Sequence, residues 1–116
     1  MTVTIHPYFD IEEGKLEEFK AIWTNILPTV RNEAKCVYYE FTFKGNTAMC
    51  REGYEDADGV LTHLGNVDAS LKQALTMSKI ARLEIHGPSA EVDKLREPMS
   101  HLPVEFFIVE FGFPNK

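Results

Sequence analysis

A chain of 116 residues with 44% hydrophobic and 26% charged side chains has the composition of one ordinary globular domain, spanning 1–116, and is neither disordered, collagenous nor disulfide-rich. Its net charge of −6, with Lys and Arg scattered, argues against a nucleic-acid or anionic-membrane partner, because phosphate contacts need clustered cations. No apolar run approaches the roughly 20 residues of a membrane helix, and MTVTIHPYF lacks the basic and apolar regions of a signal peptide, so the expected compartment is the cytoplasm.

TVTIHPYF alternates Val3, Ile5, Pro7 and Phe9 against Thr4, His6 and Tyr8, which predicts a half-buried strand. Pro7 suggests an edge or a bulge. From Asp10, a candidate cap, Leu16, Phe19, Trp23, Ile26, Leu27 and Val30 form one helical stripe that Pro28 should kink or end. CVYYEFTF and TAMCREGY flank KGN, where Gly45 and Asn46 suit the positive φ of a tight hairpin. Asp56 can cap a helix through Gly65, and Asp68 a second through Lys79. IARLEIHG is a fourth strand, and GPSAEVDKLREP a short return helix with Val92, Leu95 and Met99 in line. VEFFIVEFGF is apolar on both faces.

This order contains the split β-α-β of a ferredoxin-like α+β domain with an antiparallel sheet. The odd-numbered residues Val3, Ile5, Val37, Tyr39, Phe41, Met49, Leu83 and Ile85 are expected to meet the helices. The other face would carry Thr4, His6, Tyr8, Tyr38, Glu40, Thr42, Cys50, Glu52, Tyr54, Arg82, Glu84 and His86. The second apolar face of the last strand marks an interface, so a homodimer with facing sheets is expected, with Arg82 pairing Glu52 or Glu84. Cys36 and Cys50 lie on adjacent strands, but Cys50 falls opposite Glu40 or Phe41, too far from Cys36 to bridge. Two free thiols fit a reducing compartment.

GKLEEFKAIW, the later RNE ahead of the CVYYEF strand, and EGYEDADGVLTHL together resemble the antibiotic biosynthesis monooxygenase (ABM) family of the dimeric α/β-barrel superfamily, over most of residues 3–86. EIHGPSAEVDKLREP is similar to uncharacterised members of that superfamily. The resemblance implies a ferredoxin-like fold, a dimeric barrel, and a pocket between sheet and helices. It also implies a protein class in which several members oxidise quinols, anthrones or related aromatics with molecular oxygen and no metal or flavin, while others degrade heme. His63 falls where relatives place a pocket-lining His or Trp, and Tyr54 at the aromatic closing the third strand. Heme chemistry is not expected here: Pro7 stands where the heme-degrading branch has Asn, and Gln73 where it has a second His.

His63 sits beside the stripe of Val60, Leu64 and Val67, so its ring can reach the sheet near Arg51, Tyr39 and Trp23. A cofactor-free oxygenase needs a base to take the substrate's proton, since the anion reduces oxygen far more readily than the neutral molecule. Neutral imidazole suits that task, and a guanidinium or phenol can stabilise the anion. The expected catalytic set is His63, Arg51 and Tyr54, with Trp23, Tyr39 and Met49 as ligand-binding walls. His63 is equally readable as a hydrogen-bonded boundary histidine, and Trp23 and Tyr39 as core. His6, His86 and Glu52 resemble a metal set, but ligand spacing is absent and no metal or other cofactor is expected. No dinucleotide fingerprint, phosphate loop or nucleophile elbow is present. The expectation is therefore an ABM-like homodimer binding a small aromatic or quinone-like molecule, either as a cofactor-independent monooxygenase or as a non-catalytic binding or dimerisation module.

Overall fold

In the computed structural model, which describes residues 2–113, the elements are β1 (Val3–Ile11), α1 (Leu16–Arg31), β2 (Cys36–Lys44), β3 (Thr47–Tyr54), α2 (Ala57–Ala74), β4 (Ser78–Gly87), α3 (Ser89–Arg96) and β5 (Val104–Ile108). They build one sheet in the order β2-β3-β1-β4-β5. β3 is antiparallel to both β1 and β2, so β1 and β2 run parallel with β3 between them. β4 pairs antiparallel with the other edge of β1 and completes the ferredoxin-like α+β fold. The sheet is mixed, not wholly antiparallel as expected. β5 returns through the α3 crossover and pairs parallel with β4, the direction such a crossover gives.

The helices cover one face. β1 buries Val3, Ile5, Phe9 and Ile11 beneath Phe19, Ile22, Trp23 and Val30 of α1 and Val60 and Val67 of α2. Three element boundaries differ from expectation. Asp10 belongs to β1, and α1 begins after Lys15 without a side-chain cap. The two helices expected between Asp56 and Lys79 are one, because Val60, His63, Val67 and Ala74 form a continuous buried stripe that Gly65 and Asp68, on the exposed side, do not interrupt. Asp56 does cap its start, accepting the Gly59 N–H at 2.9 Å. Pro7 lies in the central strand, not at an edge. The β1–β4 register shifts just beyond it, between Tyr8 and Phe9, which is where a residue lacking an N–H disrupts a ladder.

The hairpin decides which side chains of β3 face the helices. Its two-residue turn places Lys44 opposite Thr47, so every odd position of β2 faces an even position of β3: Tyr39 opposite Glu52, Phe41 opposite Cys50, Phe43 opposite Ala48. Directly opposed residues share a face. Ala48, Cys50, Glu52 and Tyr54 are therefore buried under the helices. Met49 and Arg51, expected there, lie on the open face opposite Thr42 and Glu40. Val37, also expected inside, falls where the β2–β3 register shifts and is exposed. Gly45 holds the turn at φ +57°, with nothing within 4 Å of where a Cβ would stand. Gly45→Ala should therefore cost about 1 kcal/mol from backbone conformation alone, read as a lower urea midpoint.

β5 is shorter than its apolar run. Pairing stops at Ile108, and beyond it Val109, Phe111 and Phe113 are exposed, Phe111 at 95%. Phe107 stacks on His86 on the open face, ring centroids 4.5 Å apart. Among the described residues no helix is long and apolar enough to cross a membrane.

Candidate functional site

His63 occupies a core position of α2, three residues after Val60 and four before Val67, and is 2% exposed. A buried imidazole needs partners, and both nitrogens have one. Nδ1 lies 3.1 Å from both carboxylate oxygens of Glu33, in the turn that follows α1. Nε2 lies 3.2 Å from Oε1 of Glu52 on β3. The chain of contacts extends at each end. The Tyr54 hydroxyl donates to the same Glu52 oxygen at 2.7 Å, and the Asn66 amide donates to Glu33 at 3.1 Å.

This geometry favours the doubly protonated ring. A neutral imidazole has one N–H and one lone pair, so one of the two carboxylates would face a lone pair at hydrogen-bond distance. The doubly protonated ring donates to both. Burial by itself would favour the neutral ring, but the hydrogen bond to Glu52 and the charges of Glu52 and Glu33 outweigh it and raise the His63 pKa above the ordinary 6.5. The Tyr54 and Asn66 donors hold the two carboxyl groups from their other sides. The contacts and the raised pKa favour the charged ring between the two carboxylates, and the expected role as base belongs to the neutral one.

One end of the relay opens on a cavity. Glu52 and His63 line it together with Trp23, Tyr39, Phe41 and Pro7, and residues of α2, β4 and the segment after α3 close it. The wall is almost entirely apolar apart from those two groups. Its volume is about 50 Å3, against about 150 Å3 for an apolar cavity that holds one benzene. A slender aliphatic segment fits, and any aromatic ring requires the Leu64, Leu71, Met99 and Leu102 side chains of the wall to move apart.

The tyrosines are donors here. Burial, with Glu52 next to each, pushes the Tyr39 and Tyr54 hydroxyls far above the ordinary phenol value, so both keep their protons. Their rings flank His63, with centroids 5.3 Å away for Tyr39 and 5.1 Å for Tyr54. Tyr54 is fully buried behind Glu52 and reaches the cavity only through it.

Of the six residues singled out from sequence, His63, Trp23 and Tyr39 converge on the cavity, and Tyr54 touches the relay. Arg51 and Met49 do not belong to it. Arg51 lies across the sheet, paired with the Glu40 carboxylate, and Met49 is beside Thr42 and Tyr8. Glu52 and Glu33 were missed. Counting the two-residue turn would have turned Glu52 inward, and RNE already carried Glu33. The imagined His6, His86 and Glu52 set does not converge, because Glu52 faces the helices while His6 bonds Thr4 at 2.9 Å and His86 bonds Glu84 at 2.8 Å on the open face. Cys36 and Cys50 are both free.

No family model and no curated protein matches the sequence. Among solved structures, MupZ from Pseudomonas fluorescens is 40% identical, with a TM-score of 0.93 over 98% of this chain and 94% of that one. An antibiotic biosynthesis monooxygenase superposes with a TM-score of 0.63 at 11% identity over 73% of this chain and 93% of its own. Rv0793 from Mycobacterium tuberculosis does so with 0.65 at 15% identity over 73% and 92%. At such identities the last two speak for an ABM-like fold alone.

Proposed function

The chain belongs to the same family as MupZ from Pseudomonas fluorescens, and from that premise we propose that it is a proton-transfer catalyst acting on a small, largely apolar molecule. The observation that carries this is the buried Glu33–His63–Glu52–Tyr54 relay, which meets an otherwise apolar cavity at Glu52 and His63. Glu52 is the base: its carboxylate faces the otherwise apolar cavity and takes a proton from a weakly acidic C–H or O–H of the bound molecule. The charge of the His63 imidazolium and the Tyr39 hydroxyl, which keeps its proton, stabilise the negative charge that develops. Glu33 keeps the ring charged and oriented.

The test is deuterium exchange in D2O, followed by NMR, with activated ketones and anthrone as probes and oxygen uptake recorded alongside. Exchange above the uncatalysed rate that Glu52→Gln removes supports the reading. Background exchange and uptake for every probe would overturn it in favour of a non-catalytic binding module.

The ABM-like fold favours a more specific second reading, oxygenation of an aromatic anion. An anthrone methylene, once deprotonated, would pass electrons to O2 and become a carbonyl, with one oxygen atom entering the product and the other leaving as water. A polycyclic substrate of this kind requires the cavity to widen, and oxygen consumed in step with exchange would identify it.

We also read the protein as a cytoplasmic homodimer. The exposed Phe107, Val109, Phe111 and Phe113 form an apolar surface beside the open, mixed polar sheet face, and a second sheet would cover it. Sedimentation equilibrium should give twice the chain mass, and a monomer at all concentrations would refute it.

A further inference from the structure

Among the described residues, one buried side-chain nitrogen or oxygen has no hydrogen-bond partner, the indole Nε1 of Trp23. Trp23 is 5% exposed and forms part of the cavity wall. An indole N–H only donates, and a buried donor without an acceptor opposes folding. Packing alone does not call for it. The ring sits among Phe9, Phe19 and Phe41, at centroid distances of 6.2, 6.3 and 5.3 Å, where a further phenylalanine would satisfy the same contacts with no polar atom to place.

Trp23 and the relay stand apart along the wall. From Trp23 the rings pass to Phe41, Tyr39 and His63 in steps of 5.3, 5.8 and 5.3 Å. The cavity wall therefore carries Glu52 and His63 and, separated from them by apolar rings, the side chain of Trp23 with its unpartnered donor.

We propose that the molecule bound in this cavity carries two oxygen functions separated by an apolar segment, one engaged at Glu52 and the other, a carbonyl, ether or hydroxyl oxygen, accepting the Trp23 N–H. This rests on the proton-transfer reading and adds the class of substrate. Trp23 is a specificity-determining and positioning residue: it holds the far end so that the reacting group meets the carboxylate. A site built around such a donor discriminates against analogues lacking the acceptor, because the donor is then left unpaired.

The matched probes are para-hydroxybenzylacetone and para-butylphenol, molecules of nearly equal shape that differ in one carbonyl oxygen and that both need the same parting of the Leu64, Leu71, Met99 and Leu102 side chains. Calorimetric titration of the wild type should show the ketone binding about tenfold tighter, the scale of one hydrogen bond. Trp23 is the only tryptophan in the chain, so the emission change belongs to this residue, and the ketone alone should red-shift it. In Trp23→Phe the ratio of the two affinities should fall to about one, whatever the absolute affinity for para-butylphenol. Equal affinity of the two probes for the wild type would overturn the assignment, as would an unchanged preference in Trp23→Phe. Binding of neither would overturn the substrate class. None of these results alters Glu52-dependent exchange, so failure of the Trp23 assignment is distinct from failure of the proton-transfer reading.

Discussion

His63→Leu is expected to destabilise the protein by about 3–5 kcal/mol near neutral pH, measured by urea unfolding, because it leaves two buried carboxylates without the cation between them. Leucine nearly preserves side-chain volume, so the loss reports charge rather than a hole. Wild-type stability should also depend on pH in a specific direction. The folded ring holds its proton more tightly than the unfolded chain's, near 6.5. The imidazolium's contribution is therefore complete below that value and is lost as pH rises through the higher folded pKa. Wild-type stability should fall across that window, the fall should be absent from His63→Leu, and the two proteins should draw closer at alkaline pH. A loss under about 1 kcal/mol, or a wild type that gains stability across the window, would show that the ring is neutral and the carboxylates hold the proton.

The same trio shows what was legible in the sequence. His63, Trp23 and Tyr39 were readable because each lies on a simple period: two on helical stripes, one on an alternating strand. Glu52 was not, because its facing depends on the length of a turn that ends six residues earlier. A two-residue loop joins odd positions to even ones, and treating the two strands as one alternation put Glu52, Cys50 and Tyr54 outside and Arg51 and Met49 inside. Glu33 lies in a loop, where no period operates, and its burial follows from α2 packing against α1. Pro7 and Gly65 mark a different limit. Both are strong local signals of interruption, and both were overridden by packing: Pro7 by pairing on both edges of β1, Gly65 by the buried stripe that continues from Val60 to Ala74. The hairpin at Gly45 was read correctly because backbone sterics alone dictate it.

Glu52→Gln is expected to lower the exchange rate constant by about a hundredfold, the lower range for loss of a general base, with little change in KM. The amide is nearly isosteric and its oxygen still accepts from His63, so the fold should survive and the deficit should lie in the chemical step. Tyr54→Phe makes the useful comparison. It removes a donor that bonds Glu52 at 2.7 Å without touching the cavity, so the carboxylate stays in place and loses one of the groups that orient it. A smaller decrease of about tenfold is expected, and it should not be repaired by raising the pH. If Tyr54→Phe were as damaging as Glu52→Gln, the phenol would be the group exchanging the proton and Glu52 its partner. If Glu52→Gln kept full activity while His63→Leu, folded at low urea, had none, the imidazole itself would be the proton carrier. The order of the three variants therefore assigns the proton to one atom of the relay, which the geometry places at the Glu52 carboxylate because it alone joins the buried charges to the cavity without being the cation.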